Sequence, residues 1–117
     1  MDIPKDLVAA STTPLVLAVL KKGDSYGYEI IQRIRELSDG ELEWKEGMLY
    51  PLLHRLADQG LIEAYQGTSP SGRARRYYRL LPPGRARFEA HRQAFAVVAA
   101  TLARLDHIRK AGAHATA

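Results

Sequence analysis

The sequence predicts a mainly α-helical fold carrying one small antiparallel β-hairpin. Three observations lead there. Apolar residues recur at helical spacing through most of 14–59. Two short runs of strand-forming residues then flank six consecutive turn formers, and an alanine- and arginine-rich stretch after Pro82-Pro83-Gly84 continues to Lys110. A chain of 117 residues, 46% hydrophobic and 26% charged, has room for one globular domain with one appended element.

Thr13-Pro14 reads as a helix start, with threonine as N-cap and proline at the first helical position. That helix, over 14–22, is apolar on most sides and so buried; Lys21 and Lys22 suit its C-terminal dipole and Gly23 ends it. Asp24 or Ser25 then caps a second helix reaching Leu37, with Tyr26, Ile30, Ile34 and Leu37 at core spacing beside Ile31. Asp39-Gly40 makes a turn, and Leu42 and Trp44 are apolar anchors before the third helix, over 45–59, which stops at a left-handed Gly60.

Strands are expected over 61–66 and 75–81, joined by a flexible tip of turn formers over 67–72. Pro82-Pro83-Gly84 opens the last helix, over 85–110, about 26 residues and about 40 Å long. The tail over 111–117 should fray. Three short helices with a hairpin behind the third are the components of a winged helix-turn-helix. Residues 1–82 are therefore read as that domain, and 83–117 as a C-terminal dimerisation helix with its tail.

Charge points to a partner. Residues 1–72 hold seven bases against eleven acids, a net −4, whereas residues 73–117 hold ten bases against two acids, a net +8. A basic half on an acidic small protein suits a polyanion. The absence of cysteine excludes disulfide scaffolds, thiolate zinc and thiol nucleophiles. No HExxH, glycine-rich phosphate loop or clear carboxylate pair is present, so neither an enzyme nor a cofactor is expected. No apolar run approaches membrane-spanning length and no signal peptide opens the chain, so the expected location is cytoplasmic.

On the third helix Leu49, Leu52, Leu53 and Leu56 share one face. The opposite face carries Gly47, Pro51, His54 and Asp58, flanked by Tyr50 and Arg55. Two small or rigid residues there let a backbone come close to a major groove, within reach of Tyr50, His54 and Arg55. The hairpin concentrates Arg73, Arg75, Arg76 and Arg79 around Tyr77 and Tyr78, and arginine's planar fork matches phosphate. Strand alternation puts Tyr78 and Leu80 inward and Arg75, Tyr77 and Arg79 outward. On the last helix Phe88, His91, Phe95, Val98, Leu102, Leu105 and Arg109 follow alternating steps of three and four, a coiled-coil-like seam for a second subunit. The rival reading is a winged-helix protein–protein interaction module that binds no DNA.

Tyr26-Gly27-Tyr28-Glu29-Ile30, the run from Glu46 to Leu56, Gly60-Leu61-Ile62 and Arg76-Tyr77-Tyr78-Arg79-Leu80 closely resemble the PadR family of bacterial transcriptional regulators. The resemblance covers about residues 12 to 90, and the short C-terminal region resembles the compact subgroup with a single dimerisation helix. It implies a homodimeric repressor on a pseudo-palindromic operator in bacterial nucleoid DNA. By motif match it places recognition-helix contacts on Met48, Tyr50, Pro51 and His54, with Lys45 and Arg55 beside them, and wing contacts on Arg73, Arg75, Arg76 and Tyr77. It further implies a small aromatic effector near the dimer seam. Three positions depart from the family pattern. Met48 replaces a threonine or serine, Lys45 a small capping residue, and Leu81-Pro82-Pro83 a threonine-led helix start; the lone tryptophan, Trp44, leaves no tryptophan pair to clasp a flat drug.

Overall fold

In the computed structural model, which describes residues 1–108, seven elements follow one another: α1 (Lys5–Lys22), β1 (Ser25–Tyr26), α2 (Gly27–Leu37), α3 (Glu46–Asp58), β2 (Ile62–Thr68), β3 (Ala74–Leu80) and α4 (Pro82–His107). Arg109 of the seam, the expected helix end at Lys110, and the tail over 111–117 with His114 lie outside the described residues.

Helix α1 begins nine residues before the expected start, and Thr13-Pro14 lies in its interior. Proline there leaves the Ala10 carbonyl without its helical donor. In the preceding turn the Ser11 and Thr12 hydroxyls donate back to the carbonyls of Leu7 (2.8 Å) and Val8 (2.6 Å). An interior proline costs about 3 kcal/mol. Burying Val16, Leu17, Val19 and Leu20, each worth about 1.5–3 kcal/mol, outweighs it.

Neither Asp24 nor Ser25 caps α2. Its N-cap is Tyr26, without a side-chain cap bond, and the buried Ser25 hydroxyl donates to Glu29 Oε1 at 2.6 Å. Ser25 and Tyr26 instead form a short strand opposite Tyr78 and Tyr77, so the hairpin becomes a three-stranded antiparallel sheet ordered β1-β3-β2. Leu37 is 78% exposed rather than in the core, because α2 ends there and Asp39 and Gly40 turn the chain away with positive φ.

The leucine face of α3 is buried as expected, and Trp44 anchors the segment before it. Gly60, at φ 73°, terminates α3: its N–H donates to Ala57 O and that of Leu61 to Leu56 O, the paired bonds of a Schellman cap. Strands β2 and β3 run in register from Ile62 opposite Leu80 to Thr68 opposite Ala74. Both reach further toward the tip than expected. The remaining link over 69–73 is closed by Ser69 N to Arg73 O and Gly72 N to Ser69 O, each 2.8 Å, so it is a bonded turn and not a loose tip.

Helix α4 springs from the domain at Gly84. A Cβ there would strike the Leu61 carbonyl and stand 2.7 Å from Leu80 Cδ1, so only glycine lets the first turn settle on the β2 entrance. Phe88 still packs against the core, but every described residue from Arg92 to Ile108 is exposed. The radius of gyration, 18.0 Å, exceeds the roughly 13 Å of a compact chain this long because α4 projects outward.

Candidate nucleic-acid interface

Helix α3 buries its leucines and turns Gly47, His54 and Arg55 to solvent, and Lys45, its N-cap rather than its first residue, is exposed as well. A Cβ on Gly47 would meet nothing within 4 Å, so the helix is bare at that point. Met48 and Pro51 lie to one side. Met48 is half-buried against the core, and both residues line a groove of about 220 Å³ shared with Thr12 and Thr13 of α1 and with Arg55. Tyr50 lies on the other flank, 37% exposed, with its ring over the start of α2: a Cβ on Gly27 would stand 2.7 Å from the phenolic oxygen. Burial pushes the Tyr50 phenol above its ordinary value, and the nearby Glu46 carboxylate adds to this.

The four wing arginines occupy different surroundings. Arg73 and Arg76 are exposed. Arg79 lies 4.5 Å over the Tyr65 ring, and its Nε is 3.7 Å from Asp24 Oδ2. Arg75 is half-buried, its guanidinium 5.1 Å over Tyr26 and its Nε buried without an acceptor. Across the sheet's outer face Tyr26, Tyr77 and Tyr65 form one row: Tyr26 meets Tyr77 edge-on at 5.3 Å, and Tyr77 stacks on Tyr65 at 5.7 Å. The Tyr65 hydroxyl donates to Asp24 Oδ2 at 2.6 Å, and this bond raises its phenol above the usual range; burial does the same for Tyr77. Tyr77 therefore serves this row, its hydroxyl donating to Thr68 O.

Sequence reasoning did not single out Tyr26, Gly27, Tyr65 or Asp24 for this surface. The alternation of Tyr65 with Tyr77 was available, but the pairing of Tyr26 was not, since its partner strand lies some fifty residues away.

The expected seam residues divide on α4. Phe88 and His91 face the domain: Phe88 lies under Lys21 Nζ (5.2 Å to the ring centroid), and His91 Nδ1 is buried without a partner. Phe95, at 40% exposure, closes a cleft of about 180 Å³ between α1 and α4 with Leu15, Ala18 and Phe88. Val98, Leu102 and Leu105 are each nearly 60% exposed. Among the described residues no His, Asp and Glu cluster could hold a metal ion, and no helix is long and apolar enough to cross a membrane.

Comparison with known proteins places this geometry. Residues 16–90 match the model of the transcriptional regulator PadR-like family. An uncharacterised protein of Lysinibacillus sphaericus is 33% identical over 84 residues, covering 72% of this chain and 77% of its own. The transcriptional regulator Rv3488 of Mycobacterium tuberculosis is 45% identical over 60 residues, 51% of this chain and 55% of that protein. Among solved structures, a PadR-like transcriptional regulator from Bacillus cereus superposes with a TM-score of 0.79 at 25% identity, covering 90% of this chain and 100% of that one. A PadR family regulator from Clostridium difficile gives 0.71 at 31% identity over 81% and 97%. With the family model matching residues 16–90 and the fold shared with these solved regulators, this chain belongs to the PadR-like family of transcriptional regulators.

Proposed function

We propose that the chain acts as a homodimeric repressor, binding a pseudo-palindromic operator in the bacterial cytoplasm, and that DNA contact falls on α3 and the wing. The observation that carries this reading is the pair of exposed guanidinium groups, Arg73 and Arg76, on the closed hairpin that follows α3, a helix whose exposed face is bare at Gly47. Phosphate contacts position such a domain and base-edge contacts specify the site. Arg73, Arg75, Arg76 and Lys45 supply the first kind. His54 and Arg55 reach from α3 for the second, with Tyr50 at the flank and with Met48 and Pro51 setting how closely the helix seats.

Dimerisation follows from the free stripe of α4. Phe95, Val98, Leu102 and Leu105 leave about 4 kcal/mol of burial unused in one chain, and most of a helix's stability in a protein comes from packing its apolar face. A second α4 satisfies both, and two-fold symmetry sets the α3 helices about 34–36 Å apart, one turn of duplex. A small aromatic effector belongs in the α1–α4 cleft, where it would touch Phe88 and Phe95 at the root of the seam.

The test is duplex binding across a salt series, on fragments selected from the source genome. Regulation through several phosphates requires affinity to fall steeply with salt. Affinity that is weak and indifferent to salt would favour the protein–protein module instead.

A further inference from the structure

The wing and the start of α2 meet at Tyr26, a side chain outside the expected set of DNA contacts. Strand β1 brings Tyr26 opposite Tyr77 one residue before α2 begins. The Tyr26 ring carries the Arg75 guanidinium on its face at 5.1 Å and receives Tyr77 edge-on at 5.3 Å. Tyr50 of α3 reaches the same junction, its phenol over Gly27, the residue following Tyr26. Arg75 acts on the Tyr50 hydroxyl electrostatically, opposing the upward push of burial.

Arg75 differs from the other wing arginines in how it is held. Its Nε is buried and has no acceptor, and no carboxylate pairs with it among the described residues. The ring face is the attraction that fixes it, and arginine is the side chain suited to stacking while its outer N–H groups stay free. Arg79 also lies on a ring but is drawn to Asp24, so its charge is already answered.

We propose that Tyr26 is a positioning residue for DNA recognition: its ring fixes the Arg75 guanidinium beside Tyr50, so that a wing phosphate contact and the reading helix are set in one geometry before DNA arrives. The inference rests on the duplex binding proposed above. Tyr26 touches no DNA in this scheme and acts through Arg75.

The test uses the full chain on a short mixed-sequence duplex across a salt series, with thermal unfolding recorded for each variant. Tyr26→Leu is expected to weaken binding about three- to fivefold, the fold-change that an exposed cation–π contact is worth. It should also lower the salt slope by up to about 0.9, one phosphate contact. Tyr26→Phe keeps the ring and should keep both values. In an Arg75→Ala background Tyr26→Leu should add nothing, because both changes remove one coupled unit. Arg75→Lys, which leaves Tyr26 untouched and preserves the charge, should weaken binding as Tyr26→Leu does.

A merely structural role for Tyr26 would lower the unfolding temperature and leave the salt slope in place. An unchanged slope for Tyr26→Leu, full additivity with Arg75→Ala, or Arg75→Lys binding like the parent would each overturn the proposal while duplex binding itself stands. A parent chain that binds no duplex at any salt would overturn both.

Discussion

Arg73 and Arg76 stand in solvent on the wing, whereas Arg79, on the same strand as Arg76, is stacked on Tyr65 and drawn to Asp24. Equal formal charge therefore does not mean equal availability. Replacing Arg73 and Arg76 together by alanine should weaken binding on every duplex sequence and reduce the salt slope by about 1.8, two released counterions. Arg79→Ala should leave that slope near its parent value; anisotropy titrations at several salt concentrations compare the two. The tyrosines carry a second expectation. Tyr50, Tyr65 and Tyr77 have phenols raised in the folded state by burial, by the Asp24 bond and by burial respectively. A raised phenol favours the protonated folded form, so its stabilisation is complete below the ordinary value of 10.0 and is lost as pH climbs through the raised values. Unfolding temperature should fall above that pH, and Tyr65→Phe should remove part of the fall. The leucine face of α3 was legible in the sequence because its period is local. The seat of Tyr50 against Gly27 was not, for it joins residues on two helices that no periodicity relates.

Gly84 sits where α4 leaves the domain, and its lack of a side chain is what allows the Leu61 carbonyl to approach. Backbone cannot yield as a side-chain tip does. Gly84→Ala should thus destabilise the domain by about 1–3 kcal/mol, read as a lower denaturation midpoint, despite alanine's better helix propensity. An unaltered or raised midpoint would mean that α4 docks differently. Element boundaries were readable where punctuation is local: Gly60 and the Pro82-Pro83 pair mark real ends. They were unreadable where tertiary burial outweighs a local signal. Thr13-Pro14 has every mark of a helix start, yet buried side chains following it hold α1 continuous through the proline. Strand β1 carries almost no signal of its own, since two residues have no period and owe their conformation to β3.

Taken as a whole, the described residues measure 65 × 30 × 21 Å, a domain with an arm. Most acids lie before the wing and most bases from the wing onward, so field and shape are uneven along the same chain. Leu102→Glu places a charge at the centre of the exposed stripe and should yield monomers in sedimentation. Those monomers should keep the fold of the domain, but lose affinity for paired half-sites far more than for a single half-site, because linkage between two modules is what multiplies binding. A dimer of unchanged mass would place the subunit contact elsewhere. How much of this was foreseeable follows from range: the alternating three-and-four spacing of Val98, Leu102 and Leu105 is written locally and the three are exposed together, whereas Phe88 and Phe95 line a cleft with residues of α1 that the spacing alone does not name.

Trp44, the chain's sole indole, is 5% exposed within the domain, while α4 beyond Arg92 has no aromatic residue except Phe95. Its fluorescence therefore tracks the melting of the winged domain, and far-ultraviolet dichroism is weighted by the long arm. Following both signals in one titration would separate dissociation of the proposed dimer from global unfolding without a label.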